Sequence, residues 1–411
     1  MTAADTGALP EETASPTSAA ELPIVWWAQI LGGHPDARFT RVGAATELYV
    51  AFPRPDKATV VVDARAGKGI ADAVGKAGQG VVRGLAGKVL RIPGVASALP
   101  GKLILQTSES TLRDRLSQLG RIDARLSASC GPLRPNRKPV VRVLDADGSM
   151  EMVAKIGWDS LTAQLITTEG AALERAGSIN SNNIVVPGVI GHENWRGLEV
   201  LAVSPLPIDT SRGPELAVDA TLPALNDIAA IDRTSTESIT SSGFWQRLDQ
   251  RIDDLDQYDI GEAQALDIGG FHGDWSPWNT QPRPDGSLLV WDWERHASDV
   301  PVGLDLVHFL FQTERFIDQR TPREARPAVE RRAQEHLPSL DVSPDLAELL
   351  IDLYLLEALA RNSEGALTKK LAARRQTLVD ALSPRAEAFQ LAYAERYPAS
   401  DTTDAQTGKA A

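Results

Sequence analysis

The sequence predicts an α+β protein with two lobes, a small β-rich N-lobe followed by a larger helical C-lobe. Residues 121–206 carry mostly strand patterns around one helix, whereas residues 207–397 carry mostly helical patterns. Residues 22–120 mix strand runs with helical stretches, which predicts an extra N-terminal α/β segment. Residues 1–21 and 398–411 lack apolar periodicity and are predicted to be disordered tails.

Composition limits the possible functions. With 411 residues, 43% of them hydrophobic, the chain is long enough for more than one folded unit. A net charge of −13 argues against nucleic acid as a partner. The single cysteine, Cys130, excludes an intrachain disulfide and a cysteine-based metal site, so a reducing cytoplasm is expected. No apolar run approaches the ~20 residues of a transmembrane helix, so no membrane partner is expected. None of these features indicates an oligomeric state.

Three strand runs are predicted in the extra segment, and they are Leu48–Phe52, Thr59–Asp63 and Leu103–Gln106. The Gly- and Ala-rich stretch Ala66–Gly94 predicts helix broken by glycines. Ser108 is predicted to cap the helix that follows.

The β-rich lobe begins with a predicted hairpin. Val140–Leu144 and Met150–Ile156 flank Asp147-Gly148, a favoured two-residue turn. A helix is predicted from about Leu161, and two strands follow it, Ile184–Ile190 and Leu198–Val203.

One basic and one acidic residue of this lobe are predicted to pair. Strand alternation places Lys155 on the same face as Val153. Glu169 lies on the apolar stripe of the following helix, where an acid needs a cationic partner. A Lys155–Glu169 pair would hold an ammonium group over a nucleotide phosphate. Glu174 is the alternative partner, with Glu169 then a surface acid.

The segment Phe271–Asn279 is the densest candidate site, since it places a histidine, an aspartate and an asparagine among glycine and proline. Asp285-Gly286 predicts a second two-residue hairpin turn, which would set Asn279 opposite Asp292. An amide oxygen beside a carboxylate suits Mg²⁺. Asp274 would be a second acid nearby. The repulsion between the two acids would be compensated by a cation or by a role in proton transfer.

Several neighbouring residues have two interpretations. Trp275, Trp278, Trp291 and Trp293 either form an acceptor-stacking wall or pack the loop, with packing favoured for at least two of them. Glu294 and Asp299 either bind a polar acceptor or form a solvated rim. The basic run Lys369–Arg375 is expected to be a solvated helix face.

Together these features, over about residues 121–395, resemble the aminoglycoside phosphotransferase and choline kinase family, which has a protein kinase-like fold. The family's catalytic loop reads His-Gly-Asp, four residues, Asn, as does His272–Asn279. Its Ile-Asp-Trp-Glu element is similar to Trp291–Glu294. Protein kinases themselves usually carry arginine where Gly273 stands, and Phe-Gly where Trp293-Glu294 stands, so a protein kinase is less favoured.

The resemblance implies a role for each residue of the loop and hairpin. Asp274 would be the catalytic base, with His272 the second catalytic-loop residue, expected to brace the loop. Asn279 and Asp292 would be the Mg²⁺ ligands, and Asp305 would brace the loop from a helix.

The resemblance also implies a nucleotide site in which residues of the β-rich lobe contact ATP. Lys155 would bind the α- and β-phosphates with Glu169 as its partner. Ser204 lies in Leu201–Pro205, which is similar to the hinge that pairs with adenine. Lys138 is expected to help hold phosphate beside the segment that replaces the family's glycine-rich loop.

The predicted function is therefore that of a cytoplasmic, ATP-dependent phosphotransferase. It would move the γ-phosphate to a hydroxyl of a small molecule such as a sugar, an amino alcohol or an aminoglycoside. The acidic balance of the chain suits a cationic acceptor. The alternative is a non-catalytic, nucleotide-binding regulatory module on the same fold.

Overall fold

The protein is an α+β structure that forms two compact units in a computed structural model. The first unit comprises Met1–Gly177 and Pro187–Pro207, and the second comprises Ser178–Val186 and Ile208–Ala411. The structure describes residues 24–41, 47–52, 54–66, 102–131, 136–179, 181–209, 216–261, 265–362 and 369–397. The predicted helix over Ala66–Gly94 lies almost wholly outside these described residues.

A nine-stranded antiparallel sheet forms the first unit, in the order β1-β4-β2-β3-β5-β6-β7-β10-β9. Its strands are β1 (Arg38–Thr40), β2 (Glu47–Phe52), β3 (Val60–Asp63), β4 (Leu103–Gln106), β5 (Arg125–Cys130), β6 (Pro139–Leu144), β7 (Met150–Gly157), β9 (Val189–Trp195) and β10 (Leu198–Val203). Because β3 pairs with β5, strands from both sides of residue 120 belong to one sheet.

Among the described residues, three helices accompany this sheet: α1 (Ile24–Gly32), α2 (Leu112–Gly120) and α3 (Ser160–Ser178). The core lies among α1, α2 and the sheet, where Trp27 is fully buried and its indole N–H donates to the Ala58 carbonyl at 2.8 Å. The predicted cap of α2 at Ser108 is wrong, because Thr111 and Asp114 form a reciprocal capping box three residues later.

The hairpin between β6 and β7 has a longer loop than predicted. Hydrogen bonds from the Asp145 amide to the Ser149 carbonyl and from the Gly148 amide to the Asp145 carbonyl close it. Gly148 has φ of 77°, a left-handed conformation that glycine adopts without strain. This is a turn followed by a glycine bulge, rather than a two-residue turn on Asp147-Gly148.

Two small sheets belong to the second unit. One has the order β11-β12-β15 and is built from β11 (Thr234–Thr236), β12 (Leu266–Phe271) and β15 (Ala297–Pro301). The other has the order β13-β14-β8 and is built from β8 (Ile184–Val185), β13 (Thr280–Pro282) and β14 (Leu288–Val290). The chain that connects β12 to β13, residues 272–279, is the candidate catalytic loop.

Helices make up most of the rest of the second unit. They are α4 (Leu222–Ala229), α5 (Gly243–Asp249), α6 (Leu304–Gln312), α7 (Pro322–His336), α8 (Ala347–Arg361), α9 (Lys369–Val379) and α10 (Glu387–Arg396). Helix α6 is buried on all sides from Leu304 to Phe311, which explains its nearly continuous apolar sequence. It continues into one π-helical turn, Thr313–Ile317, and contacts α7 and α8. Among the described residues, no helix has both the length and the apolar character needed to cross a bilayer.

Candidate active site

The candidate catalytic loop leaves β12 through a sharp turn at Gly273. This residue has φ of 87°, and a Cβ added there would lie 2.3 Å from the Arg295 carbonyl oxygen. A larger residue would be both strained and in collision with the backbone, so glycine is required at this point. The turn directs the next residue, Asp274, away from the end of the strand.

Asp305 of α6 holds the loop by its backbone, as the resemblance implies. Its carboxylate accepts hydrogen bonds from the His272 amide at 2.6 Å and the Gly273 amide at 3.1 Å. Burial raises the pKa of Asp305 to about 7, although these two amides act in the opposite direction. From α8, Arg361 donates to the Gly273 carbonyl at 2.6 Å. Two helices therefore fix both polar groups of the turn.

His272 braces the loop from inside. Its Nδ1 accepts from the Asp274 amide at 3.2 Å, and its Nε2 lies 3.2 Å from the Trp291 carbonyl oxygen. Burial lowers the pKa of His272 to about 4, so the ring is neutral at neutral pH and carries its proton on Nε2. Trp275 and Trp293 pack edge-on against the ring, with centroids at 5.7 and 4.7 Å.

Asp274 has the environment expected of a base. His308 Nε2 lies 3.2 Å from its Oδ1, and Asn279 Nδ2 donates to its Oδ2 at 2.8 Å. Its side chain remains 35% exposed, so the carboxylate is accessible from solvent. Burial acts to raise the pKa of Asp274, but the hydrogen bond from His308 acts in the opposite direction, and the net pKa is lowered. The carboxylate is therefore ionised at neutral pH.

The sequence did not identify His308 as a site residue. It lies on α6 one turn after Asp305 and is buried, and burial lowers its pKa, so the ring is neutral. Its Nε2 then carries the proton that Asp274 accepts, and its Nδ1 has no hydrogen-bond partner among the described residues. A histidine within an otherwise apolar helix was the signal available in the sequence.

The hairpin behind the loop has a different register from the predicted one. Thr280 pairs with Val290, and the Trp291 amide donates to the Asn279 carbonyl at 3.1 Å. Asn279 is thus opposite Trp291 and not opposite Asp292. The cause is a three-residue loop in which Gly286 takes φ of 87°, as at Gly148.

Asp292 and Asn279 nevertheless belong to the same cluster. Asp292 follows Trp291 in a left-handed conformation with φ of 70°, which turns the chain sharply at the end of the hairpin. Burial raises the pKa of Asp274, and the negative charge of Asp292 raises it further by a smaller amount. Asn279 is buried, and its amide nitrogen donates to both the carbonyl and the carboxylate of Asp274.

These residues fit a divalent cation in chemical type. The Asn279 amide nitrogen is committed to Asp274, which leaves its oxygen as the atom suited to a ligand role. The Asp292 carboxylate would offer a second hard oxygen, and Mg²⁺ prefers such ligands together with water and phosphate oxygens.

In the first unit, the predicted lysine–glutamate pair is present. Lys155 Nζ lies 2.5 Å from Glu169 Oε1, and only 3% of the Glu169 side chain is exposed. The alternative partner, Glu174, is exposed on the other side of α3. On β7, Met152, Ala154 and Ile156 point into the core, so Lys155 lies on the opposite face with Val153.

The two remaining predicted nucleotide residues also lie in the first unit. Ser204 directly follows β10, and both its amide and its hydroxyl bond to Gly188, each at 2.8 Å. Lys138 precedes β6, and its charge lowers the pKa of Cys130, which burial more strongly raises. Both remain predictions as nucleotide contacts.

Several of the residues with two interpretations have a defined environment. Trp275 and Trp293 are fully buried, whereas Trp278 is 40% exposed. Asp299 forms a bidentate ion pair with Arg247 at 2.7 Å. The basic run is not wholly solvated as expected, because Arg375 is buried and lies over the rings of Tyr393 and Tyr397.

Comparison with known proteins gave structural neighbours alone. No family model matches the sequence, and no curated protein matches it. One solved structure similar to this chain is the streptomycin–ATP–APH(2")-IIa ternary complex, with 11% identity over 67% of this chain and 96% of that chain and a TM-score of 0.39. A second is a microcompartment-associated aminopropanol kinase, with 12% identity over 67% of this chain and 95% of that chain and a TM-score of 0.38.

Proposed function

We propose that this protein is an ATP-dependent phosphotransferase that moves the γ-phosphate to a hydroxyl group of a small molecule. The observation that carries the proposal is the environment of Asp274. An ionised, accessible carboxylate is held between two donors, His308 and Asn279, on a loop whose backbone is fixed by Asp305. A rigidly placed, ionised carboxylate can align an acceptor hydroxyl and accept its proton.

The reaction follows from these positions. Asp274 accepts a hydrogen bond from the acceptor hydroxyl and takes its proton while the hydroxyl oxygen forms its bond to the γ-phosphorus. The bond between that phosphorus and the bridging oxygen breaks, and ADP is the leaving group. The hydrogen bonds from His308 and Asn279 keep the carboxylate in one orientation and limit the rotations that would misalign it.

The other predicted residues have supporting roles in this proposal. Lys155, held by Glu169, neutralises phosphate charge, and Ser204 and Lys138 contact the nucleotide. Asn279 and Asp292 would hold Mg²⁺. When bound, Mg²⁺ supplies charge neutralisation at phosphate oxygens.

The non-catalytic regulatory module is the second candidate, and it predicts nucleotide binding without transfer. The presence of Asp274 favours the enzyme, because a module that only binds nucleotide would have no need of a base at this position.

Transfer of ³²P from labelled ATP to a panel of sugars, amino alcohols and aminoglycosides tests the proposal. We expect product with the wild type and with Asp249→Asn, a matched change to an exposed acid at the end of α5. We expect Asp274→Asn to lower turnover by about 10²–10⁴-fold. Full turnover in Asp274→Asn would refute the assignment of the base, and ATP binding without any transfer by the wild type would favour the regulatory module.

A further inference from the structure

Beside the catalytic loop lies an arginine that has no acidic partner among the described residues. Arg315 is in the π-helical turn that ends α6, and its side chain is half-buried. Its guanidinium carbon lies 5.7 Å from the ring centroid of its neighbour Phe316. It forms no ion pair or hydrogen bond with any residue that the structure describes. A half-buried cation without a carboxylate loses hydration and gains no compensating charge.

An aromatic contact places this arginine next to the loop. The Phe316 ring packs edge-on against Trp278, with centroids 5.2 Å apart. Trp278 lies between Asp274 and Asn279 in the catalytic loop. Both rings are exposed, by 55% for Phe316 and 40% for Trp278, so this contact is on the surface beside the base.

A second chain of contacts reaches Asp274 through His308. Tyr354 of α8 stacks on Phe311 at 5.0 Å and meets the His308 ring edge-on at 5.4 Å, and His308 contacts Asp274. The hydroxyl of Tyr354 has no hydrogen-bond partner among the described residues, and it is not fully enclosed. A donor is thus available within the same cluster.

Three positive charges act on this tyrosine. Burial raises the pKa of Tyr354, and the charges of Arg315, Arg361 and Arg374 oppose that rise. Burial also lowers the pKa of Arg315, and the like charge of Arg374 lowers it further. Arg361 has Glu357 as its ion-pair partner, at 2.9 Å. Arg315 and Arg374 have no such partner in the described part of the chain.

We infer that the phosphate acceptor carries an anionic group, a carboxylate or a phosphate, which Arg315 binds beside Asp274. Planar guanidinium groups suit such anions because they donate in a fork that matches two oxygens. Trp278 and Phe316 would contact the carbon skeleton of the acceptor, and the Tyr354 hydroxyl would donate a further hydrogen bond. The inference rests on the proposed phosphotransferase, and it reverses the expectation of a cationic acceptor that the net charge suggested.

Acceptors that share one skeleton and differ in charge provide the test. One series is D-glycerate, glycerol 3-phosphate, glycerol and 2-amino-1,3-propanediol, and a second is glucuronate, glucose 6-phosphate, glucose and glucosamine. We expect ³²P transfer from ATP to favour an anionic member of a series. Comparison of the carboxylate and phosphate members shows which anion is preferred.

Variants then show whether Arg315 binds that charge. Arg315→Gln should raise the KM for the anionic acceptor by about tenfold or more, with a smaller change in kcat, because a hydrogen-bonded charge pair is lost. Arg315→Lys should raise KM less, and the KM of the neutral parent should not change. Arg323→Gln on α7 is the matched control, an exposed arginine without an ion pair among the described residues, and it should have no effect.

Acceptor-independent ATP hydrolysis, measured in parallel, separates this inference from the proposed function. The inference is overturned if ATP is hydrolysed and phosphate is transferred only to neutral or amino acceptors, or to none of the anionic ones. That result would leave the nucleotide chemistry intact. An unchanged KM for the anion in Arg315→Gln also overturns the inference. Absence of both hydrolysis and transfer removes the proposed function and the inference with it.

Discussion

Two aspartates of the second unit, Asp352 and Asp274, show how a structural carboxylate differs from a candidate catalytic one. Asp352 of α8 is fully buried and accepts from the Tyr258 hydroxyl at 2.9 Å, from Arg326 at 2.6 Å and from both the amide and the hydroxyl of Ser383. Asp274 accepts from two side chains and remains 35% exposed.

The difference lies in unused hydrogen-bonding capacity. All the acceptor sites at Asp352 are occupied by donors from its own unit, so nothing remains for a ligand. Around Asp274 there is an accessible carboxylate, a histidine nitrogen without a partner and a tyrosine hydroxyl without a partner, all within the described residues. We expect substitutions at Asp352 to affect stability, and substitutions at Asp274 to affect activity.

The largest effect should come from the Asp274→Asn change already described, which should leave the melting temperature nearly unchanged. The amide keeps the size of the side chain, and its partly exposed position limits the cost of a lost charge. Thermal unfolding beside the transfer assay checks this. A large loss of stability would mean that Asp274 is structural, as Asp352 is.

Asp352→Ala should have the opposite effect. Removal of the carboxylate leaves Arg326 buried without its counter-charge, which should lower the free energy of unfolding by about 3–5 kcal/mol. Urea denaturation followed by tryptophan fluorescence measures the change. Asp345→Asn, at an exposed acid before α8, is the control. A loss of unfolding free energy below about 1 kcal/mol is within the range of surface ion pairs. It would contradict the structural role of Asp352.

Asp305 should make stability depend on pH. Its pKa is raised to about 7 in the folded protein, so between about pH 4 and 7 the folded state binds more protons at this site than the unfolded state. The free energy of unfolding of the wild type, relative to that of Asp305→Asn, should therefore fall as the pH rises through this window, by at most about 4 kcal/mol. A pH-independent difference between the two proteins would show that Asp305 does not titrate there.

The smallest effect should come from His308. His308→Phe removes one of the two donors to Asp274 and should lower kcat by about tenfold, the value of one hydrogen bond to a charged group. His308→Gln, which retains an N–H donor, should recover part of that loss. If both variants have the same kcat, the histidine has a packing role and does not position the base.

The sequence was sufficient to predict the parts of the site that depend on local pattern. Asp274, Asn279 and His272 lie together because they share one short loop, and Gly273 makes its turn possible. The pairing of Lys155 with Glu169 followed from strand and helix periodicity. Each of these predictions required only neighbouring residues or two consecutive elements.

The rest depended on tertiary structure. The residue predicted to lie opposite Asn279 was wrong by one position. The reason is that an Asp-Gly pair occurs both in two-residue turns and in three-residue loops with a glycine bulge. His308 and Arg315 lie on α6 and the turn after it, and their proximity to the loop comes from the packing of that helix. Arg375 was expected to be solvated, but it lies over the rings of Tyr393, in α10, and Tyr397, just after that helix.

Single-turnover phosphate transfer by the wild type and Asp274→Asn, with ATP affinity measured on the same samples, tests the role of Asp274 most directly. We predict equal dissociation constants for ATP, and a rate of γ-phosphate transfer that is lower by about 10²–10⁴-fold in the variant. Equal transfer rates, or a loss of rate explained wholly by weaker ATP binding, would contradict the assignment of Asp274 as the base that aligns the acceptor.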